Sequence, residues 1–223
     1  TMKSGVWERP RIAAFSRKGC EDDVPCLAPD GKTLLFLSLR PLGSEEVEHK
    51  ERIWMTRRDG DRWSEPKPLP PAVNALGTLH QQVSVDAAGN LYFGCDSPKG
   101  NGDMDLYVSK YLDGEFRAPV NLGSPLNGPG AEYAPFIAPD GRFILFNRIA
   151  NDRSEFLISF RSVEGTWSVP CALTGELFGL SEMDFGEPFI TRDGRALVFY
   201  GSQGRISTPF WIAASVIDTL RQK

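Results

Sequence analysis

The sequence predicts an all-β chain folded as a β-propeller of four-stranded blades, and three observations carry that prediction. The chain repeats itself four times, and each repeat holds enough alternating strand for two hairpins. Its 22 Gly and 17 Pro in 223 residues set turns where long helices would otherwise run.

The first element of each repeat is a hairpin marked by Gly and Phe. Four segments end an apolar strand with Phe shortly after a glycine turn: APDGKTLLF, DAAGNLYF, APDGRFILF and TRDGRALVF. The closing residues Phe36, Phe93, Phe146 and Phe199 are spaced 57, 53 and 53 apart. Six residues before the turn glycines Gly31, Gly89, Gly141 and Gly194 stand Pro25, Val83, Pro135 and Pro188, so the strand entering each turn is also in register.

A second hairpin follows. An aromatic residue three places before a proline recurs as Trp7 to Pro10, Trp63 to Pro66, Phe116 to Pro119 and Trp167 to Pro170. Ahead of the last three, RIWMTRRDGDRW, DLYVSKYLDGEF and EFLISFRSVEGTW each read as strand, polar turn, strand, because Asp-Gly and Glu-Gly accept the positive φ of tight hairpins. A unit of about 50 residues thus supplies the four strands of one blade. An accidental likeness within a β-sandwich would not hold four landmarks in register. A helical solenoid fails as well, since residues 143–164, the longest stretch free of Gly and Pro, contain FILF and FLISF with Asn151-Asp152 between them. The one helix expected is terminal, over 215–223. Residues 210–214 match the first strand of the outer hairpin and residues 5–15 the second, so the two ends are expected to pair and lock the ring. The whole chain, 1–223, reads as a single domain.

The APDG turns, the hairpins of the form DLYVSK…EFRAPVNLG with SPLN close behind, and the ending FWIAASVIDTLRQK resemble the TolB-type WD40-like β-propeller repeat proteins. The resemblance covers nearly the whole chain and lies in the repeat pattern, with no catalytic motif in it. It implies a binding module of the bacterial envelope or exterior, periplasmic or secreted, that recognises a protein or a glycan. The family pattern also leaves room for a fifth unit ahead of Thr1. Two departures stand out: Ala88-Gly89 where Asp-Gly is usual, and Arg192 where Pro is usual.

Composition narrows the partners. With 25 basic and 29 acidic residues the net charge is −4 and there is no Lys/Arg block, so the footprint of a nucleic-acid binder is missing. No apolar run reaches the ~18 residues of a membrane span, and residues 1–10 carry no signal-peptide pattern. A monomer is expected. Cys20, Cys26, Cys95 and Cys171 form no CxxC pair and have only His49 and His80 to join them, so the usual zinc spacings are excluded and no metal is expected. Cys20 and Cys26 could close a small disulfide loop or remain thiols. There is no GxSxG, Walker loop or GxGxxG, hence no cofactor and no serine-hydrolase or nucleotide chemistry. NGDMD over 101–105 lacks the further ligands of a calcium loop and reads as a hairpin loop. SVEGTW over 162–167 is one residue short of an Asp-box and reads as a β-turn.

Propeller loops converge at the ends of the central channel, and sites on this architecture sit there. In this register one rim collects Glu21, Asp22 and Asp23 from the first unit, and His80, Gln81 and Gln82 from the second. Glu132 and Tyr133 come from the third unit, and Asp184 and Glu187 from the fourth. The ligand-binding candidates are Asp22, Asp23, His80, Glu132, Tyr133, Asp184 and Glu187. Arg40 and Arg148 are candidates for the opposite rim. Two readings of the carboxylates stay open: a mouth for a cation, sugar or peptide, or caps that bond backbone N–H groups. The same carboxylates could serve a propeller glycoside hydrolase or lyase, and a structural domain of a longer protein is a third reading. Mutual repulsion at the mouth predicts that neutralising Asp22 and Glu132 leaves folding intact. Trp7, Trp54, Trp63, Trp167 and Trp211 recur at strand positions and read mainly as blade packing.

Overall fold

The computed structural model describes residues 2–3, 5–43, 50–150, 153–178, 184–203 and 206–221. Four antiparallel sheets stand in a ring, forming a four-blade β-propeller. Blade 1 is β1 (Asp22–Leu27), β2 (Thr33–Ser38), β3 (Arg52–Asp59) and β4 (Lys67–Pro68). Blade 2 is β5 (His80–Val85), β6 (Leu91–Cys95), β7 (Asp105–Ser109) and β8 (Val120–Asn121). Blade 3 is β9 (Ala131–Ile137), β10 (Phe143–Ala150), β11 (Arg153–Phe160) and β12 (Cys171–Ala172). Blade 4 has three strands, β13 (Asp184–Ile190), β14 (Ala196–Gln203) and β15 (Ile206–Ala213). The first strands of successive blades touch one another, which places them nearest the axis.

Each landmark has a physical role. The turn glycines Gly31, Gly89, Gly141 and Gly194 sit at φ of 67°, 85°, 71° and 72°, where an L side chain is strained. In three of the turns an aspartate before the glycine secures the loop: Asp30 accepts the N–H of Lys32 and Thr33, Asp140 that of Arg142, and Asp193 that of Arg195. Blade 2 lacks this aspartate and uses Asp86, which accepts from Ala88 and Asn90. The departure at Ala88 therefore shifts the carboxylate by two residues and preserves the turn.

The Phe landmarks are core. Phe93, Phe146 and Phe199 are fully buried and Phe36 nearly so. Three apolar clusters fill the seams between blades 1 and 2, 2 and 3, and 3 and 4. Each such ring contributes about 1.5–3 kcal/mol by leaving water.

The aromatic-to-proline landmark closes the outer edge. Thr56, Ser109 and Ser159, all buried at the same place on the third strands, donate their hydroxyls to the carbonyls of Ser64, Arg117 and Ser168. These carbonyls belong to the residue after each landmark aromatic, Trp63, Phe116 and Trp167. The fourth strands are only two residues long, and a side-chain amide continues their pairing. Asn74 bonds both the N–H and the C=O of Ile53, and Asn127 does the same for Leu106.

The termini do not pair, against the sequence expectation. Within the described residues β15 pairs only with β14, and the N-terminal strands Met2–Lys3 and Val6–Trp7 pair with each other. The reason lies in β15. Pro209 occupies the position of Ile53 and Leu106 and has no N–H to offer an outer partner, while Ile212 replaces the hydroxyl of Thr56, Ser109 and Ser159. Residues 13–20 instead cover blade 1, where Phe15 stacks on Phe36 with centroids 5.6 Å apart and Arg17 pairs with Glu65. At the turn end, Arg192 of blade 4 lies against Gly31 of blade 1. The expected terminal helix forms over Val216–Leu220, with Ile217 buried in the seam between blades 3 and 4, but it does not stand alone as expected: one-turn helices also form at Pro71–Asn74 and Gly175–Phe178. All four cysteines are free, so no Cys20–Cys26 bond closes the loop. No helix among the described residues is long and apolar enough to cross a membrane.

Candidate functional site

The mouth is built on one backbone device used four times. Every innermost strand carries a register shift, between Asp23 and Cys26, Gln81 and Val83, Tyr133 and Phe136, and Gly186 and Phe189. Inside each shift one non-glycine residue adopts positive φ: Val24 at 47°, Gln82 at 38°, Ala134 at 52° and Glu187 at 52°. A β-branched residue such as Val24 is held there only by strong surroundings. Here the next residue is Pro25, Val83, Pro135 or Pro188, and in three blades a proline withholds an N–H that the ladder would otherwise need. Asn147 of β10 fastens the bulge of blade 4, donating Nδ2–H to the Phe185 carbonyl at 2.6 Å and accepting the Glu187 N–H at 3.2 Å.

The bulge sorts the candidates into two rows. Two positions ahead of each positive-φ residue stand Asp22, His80, Glu132 and Phe185. His80 and Glu132 are 1% and 0% exposed, and the Asp22 side chain is 18% exposed. The next position is exposed at Asp23 and Gln81, half-buried at Tyr133 and taken by Gly186 in blade 4, where the exposed Glu187 is itself the positive-φ residue, equivalent to Val24, Gln82 and Ala134. Asp184 opens β13, and its side chain falls outside the described residues, as does His49.

The first row is occupied by internal partners, with Asp22 exposed at its backbone and shielded at its side chain. Arg40 grips Asp22 with two bonds, Nε to Oδ1 at 2.9 Å and Nη2 to Oδ2 at 2.6 Å, and Ser38 donates to the same carboxylate at 2.8 Å. The guanidinium is 1% exposed and lies 5.1 Å from the Phe36 ring centre and 5.9 Å from those of Phe15 and Trp54. Arg148 repeats the pairing in blade 3, with Nε donating to Glu132 Oε1 at 2.7 Å and Nη2 to the Leu126 carbonyl at 2.9 Å. Glu132 Oε2 accepts the Gly128 N–H at 3.0 Å. Arg40 and Arg148 therefore belong to the same rim as the carboxylates, not the opposite one. An antiparallel hairpin brings the chain back to where it began, so residues beyond the Phe landmark return beside the start of the first strand. The pairing also reverses the expectation for Asp22 and Glu132. Each is paired with a guanidinium, and removing them leaves Arg40, fully buried, and Arg148, 21% exposed, without a counter-charge.

Electrostatics agree. Partial burial pushes the Asp22 carboxyl up, and the Arg40 and Ser38 hydrogen bonds with the Arg40 charge outweigh it, holding it below the ordinary 3.8. Burial pushes His80 below its ordinary 6.5 against the opposing pull of the Val73 carbonyl, 3.4 Å from Nε2, and of Asp96. His80 is thus a buried neutral ring, 5.8 Å from Phe93, with no partner at Nδ1. A histidine with a depressed folded value contributes its stability in full above pH 6.5 and loses it as pH falls through the folded value. Urea unfolding at pH 7.5 and 5.5 should show a loss of stability at the lower pH that is smaller in His80→Gln. An equal loss in the two proteins rules His80 out as its source.

Two carboxylates escaped the sequence reading. Asp96, at the end of β6, accepts the N–H groups of Thr78 and Leu79 at 2.7 and 2.8 Å and the Thr78 hydroxyl. These bonds overcome burial and hold it below 3.8. Glu51, just before β3, accepts the His80 N–H at 2.8 Å. Burial raises it above 4.5 despite that bond, with the charges of Asp23 and Asp96 adding to the rise. The signal for Asp96 was its place directly after Cys95, two beyond the Phe landmark; Glu51 had none. No group of three metal-ligating side chains forms among the described residues.

No protein-family model matches the sequence, and no curated protein matches it. Solved structures do. A protein of Agrobacterium tumefaciens named as a TolB is similar at a TM-score of 0.53 and 16% identity, over 86% of this chain and 77% of that one. A protein of unknown function from Dyadobacter fermentans is similar at 0.52 and 15%, over 91% and 71%. A prolyl endopeptidase is similar at 0.51 and 14%, over 88% of this chain and 25% of its own. At these identities the likeness is one of fold, and the chain has a TolB-like propeller fold.

Proposed function

We propose that the chain is a binding module that holds a protein or glycan ligand at its channel mouth through the water-facing row Asp23, Gln81, Tyr133 and Glu187. One observation carries the reading: a strained bulge recurs in all four blades and sets polar side chains beside it at the surface, Asp23, Gln81 and Tyr133 one place before the positive-φ residue and Glu187 on it, while the carboxylates of Asp22 and Glu132 are spent on internal bonds. Two carboxylates, two amides counting Gln82, and a phenol suit a hydroxyl-rich or cationic ligand. The family resemblance supports a place in the envelope or outside the cell.

The test is the double variant Asp23→Asn with Glu187→Gln, probed on a glycan array and with lysine-rich and neutral peptides. Stability should stay within about 0.5 kcal/mol, and binding of whichever probe the wild type retains should weaken by about 1–3 kcal/mol per lost charged bond. Unchanged binding in the double variant overturns the reading.

A glycoside hydrolase is the alternative that a specific observation favours. Glu51 and Asp96 both hold the segment that leads into β5, Glu51 through the His80 N–H and Asp96 through Thr78 and Leu79, which makes them neighbouring carboxyls beside the mouth. It predicts turnover of an array glycan that collapses in Glu51→Gln with affinity retained.

A further inference from the structure

A second site lies away from the mouth. At the turn end of the ring, between blades 1 and 2, is a cavity of about 210 Å³. Blade 3 shows how side chains can fill the equivalent space. In blade 3, three positions before the Phe landmark, Phe143 stands opposite Phe160, and the two rings, 6.3 Å apart, pack against the cluster of the seam with blade 4. The same two positions in blade 1 hold Thr33 and Arg57, which are likewise opposite one another. The facing turn has changed as well. Blade 2 holds Ala87 and Ala88 in its turn, where the turn of blade 4 holds Arg192 and Asp193. The blade 2 turn thus carries small side chains, and it still folds because Asp86 has taken over its hydrogen bonds.

What lines the space defines its ligand. The floor is apolar, with Leu35 and Val85 buried. Arg57, Asp30 and Tyr111 line it as well, and the first two are exposed. One Arg57 nitrogen donates to the Tyr111 oxygen at 2.5 Å, and the guanidinium stands 6.0 Å from that ring. Its remaining N–H donors are uncommitted. Asp30 Oδ1 already accepts the N–H groups of Lys32 and Thr33 and Oδ2 the Thr33 hydroxyl, which leaves Oδ2 one further acceptor site, and the phenol can act either way. Asp86 also lines the space but is buried and bonded within its own turn to Ala88 and Asn90, and the two exposed charges, Arg57 and Asp30, balance. A donor and an acceptor above an apolar floor match the hydroxyls and the C–H face of a sugar ring. The volume is below the ~300–1,000 Å³ of larger ligand sites and holds a single ring.

We propose that this inter-blade cavity binds one neutral pyranose residue, with Arg57, Asp30 and Tyr111 engaging its hydroxyls. The proposal does not depend on the mouth. Saturation-transfer NMR on the whole chain with millimolar methyl glucoside, methyl galactoside and methyl mannoside tests it, with acetate and methylammonium as charged probes. At least one glycoside should receive saturation. The signal should fall at least tenfold in Arg57→Phe, which restores the blade 3 pattern, and in Ala88→Leu, which fills the cavity from an exposed turn. It should persist in Asp23→Asn with Glu187→Gln. Absence of transfer to all three glycosides in the wild type overturns the proposal. So does a signal that survives Ala88→Leu in a folded protein, or transfer to a charged probe alone.

Discussion

Replacing Asp22 by alanine should destabilise the fold by about 3–5 kcal/mol, because it leaves the Arg40 guanidinium buried among three aromatic rings without its counter-charge. Arg40 already has one nitrogen, Nη1, without a partner, so nothing nearby can take over. Glu132→Ala should behave alike, since Glu132 is fully buried against Arg148. Replacing both partners of the first pair, Asp22→Leu with Arg40→Met, should recover most of the loss, because apolar groups of similar size carry no desolvation penalty. Urea unfolding followed by circular dichroism measures all three. A loss under 1 kcal/mol in Asp22→Ala contradicts the structural role given to this pair.

Truncating the Phe landmarks should cost as much by a different mechanism. Phe146→Ala and Phe199→Ala each remove a fully buried ring from a seam between blades, and about 3–5 kcal/mol should be lost through transfer and cavity terms together. Trp211, 74% exposed on the edge strand, is the contrast, and its replacement by alanine should stay within about 0.5 kcal/mol. Equal losses at Phe199 and Trp211 in thermal unfolding would show that the seam, as described, is not what holds blade 4.

The blades were legible because their punctuation is local. A glycine at positive φ, a Phe at fixed distance and an aromatic ahead of proline each act within one hairpin, so the residues responsible sit close together in the sequence. Pairings across a hairpin were harder to see. Arg40 meets Asp22 18 residues away, and Arg148 meets Glu132 16 residues away, and counting outward from Phe36 and Phe146 placed both arginines at the wrong end of the ring. Their rim carboxylates were found from position alone, but their burial depended on which side of a bulge they fell, and periodicity cannot locate a bulge. The closure of the termini failed on single residues, Pro209 and Ile212, which leave the strand pattern intact while removing the donors that an outer strand uses. Ala88 had a legible oddity, but the cavity beside it is lined also by Thr33 and Arg57 of another blade.

The central claim is that the bulge divides the mouth into a buried row that holds the blades and a water-facing row that meets a ligand. The most direct measurement sets two double variants side by side, Asp22→Asn with Glu132→Gln and Asp23→Asn with Glu187→Gln, recording unfolding free energy and probe retention for each. The account predicts that the first pair loses stability by several kcal/mol and the second keeps its stability and loses its ligand. If the first pair unfolds at wild-type urea while binding is lost, or if the second pair unfolds early with binding intact, the rows are assigned the wrong way round.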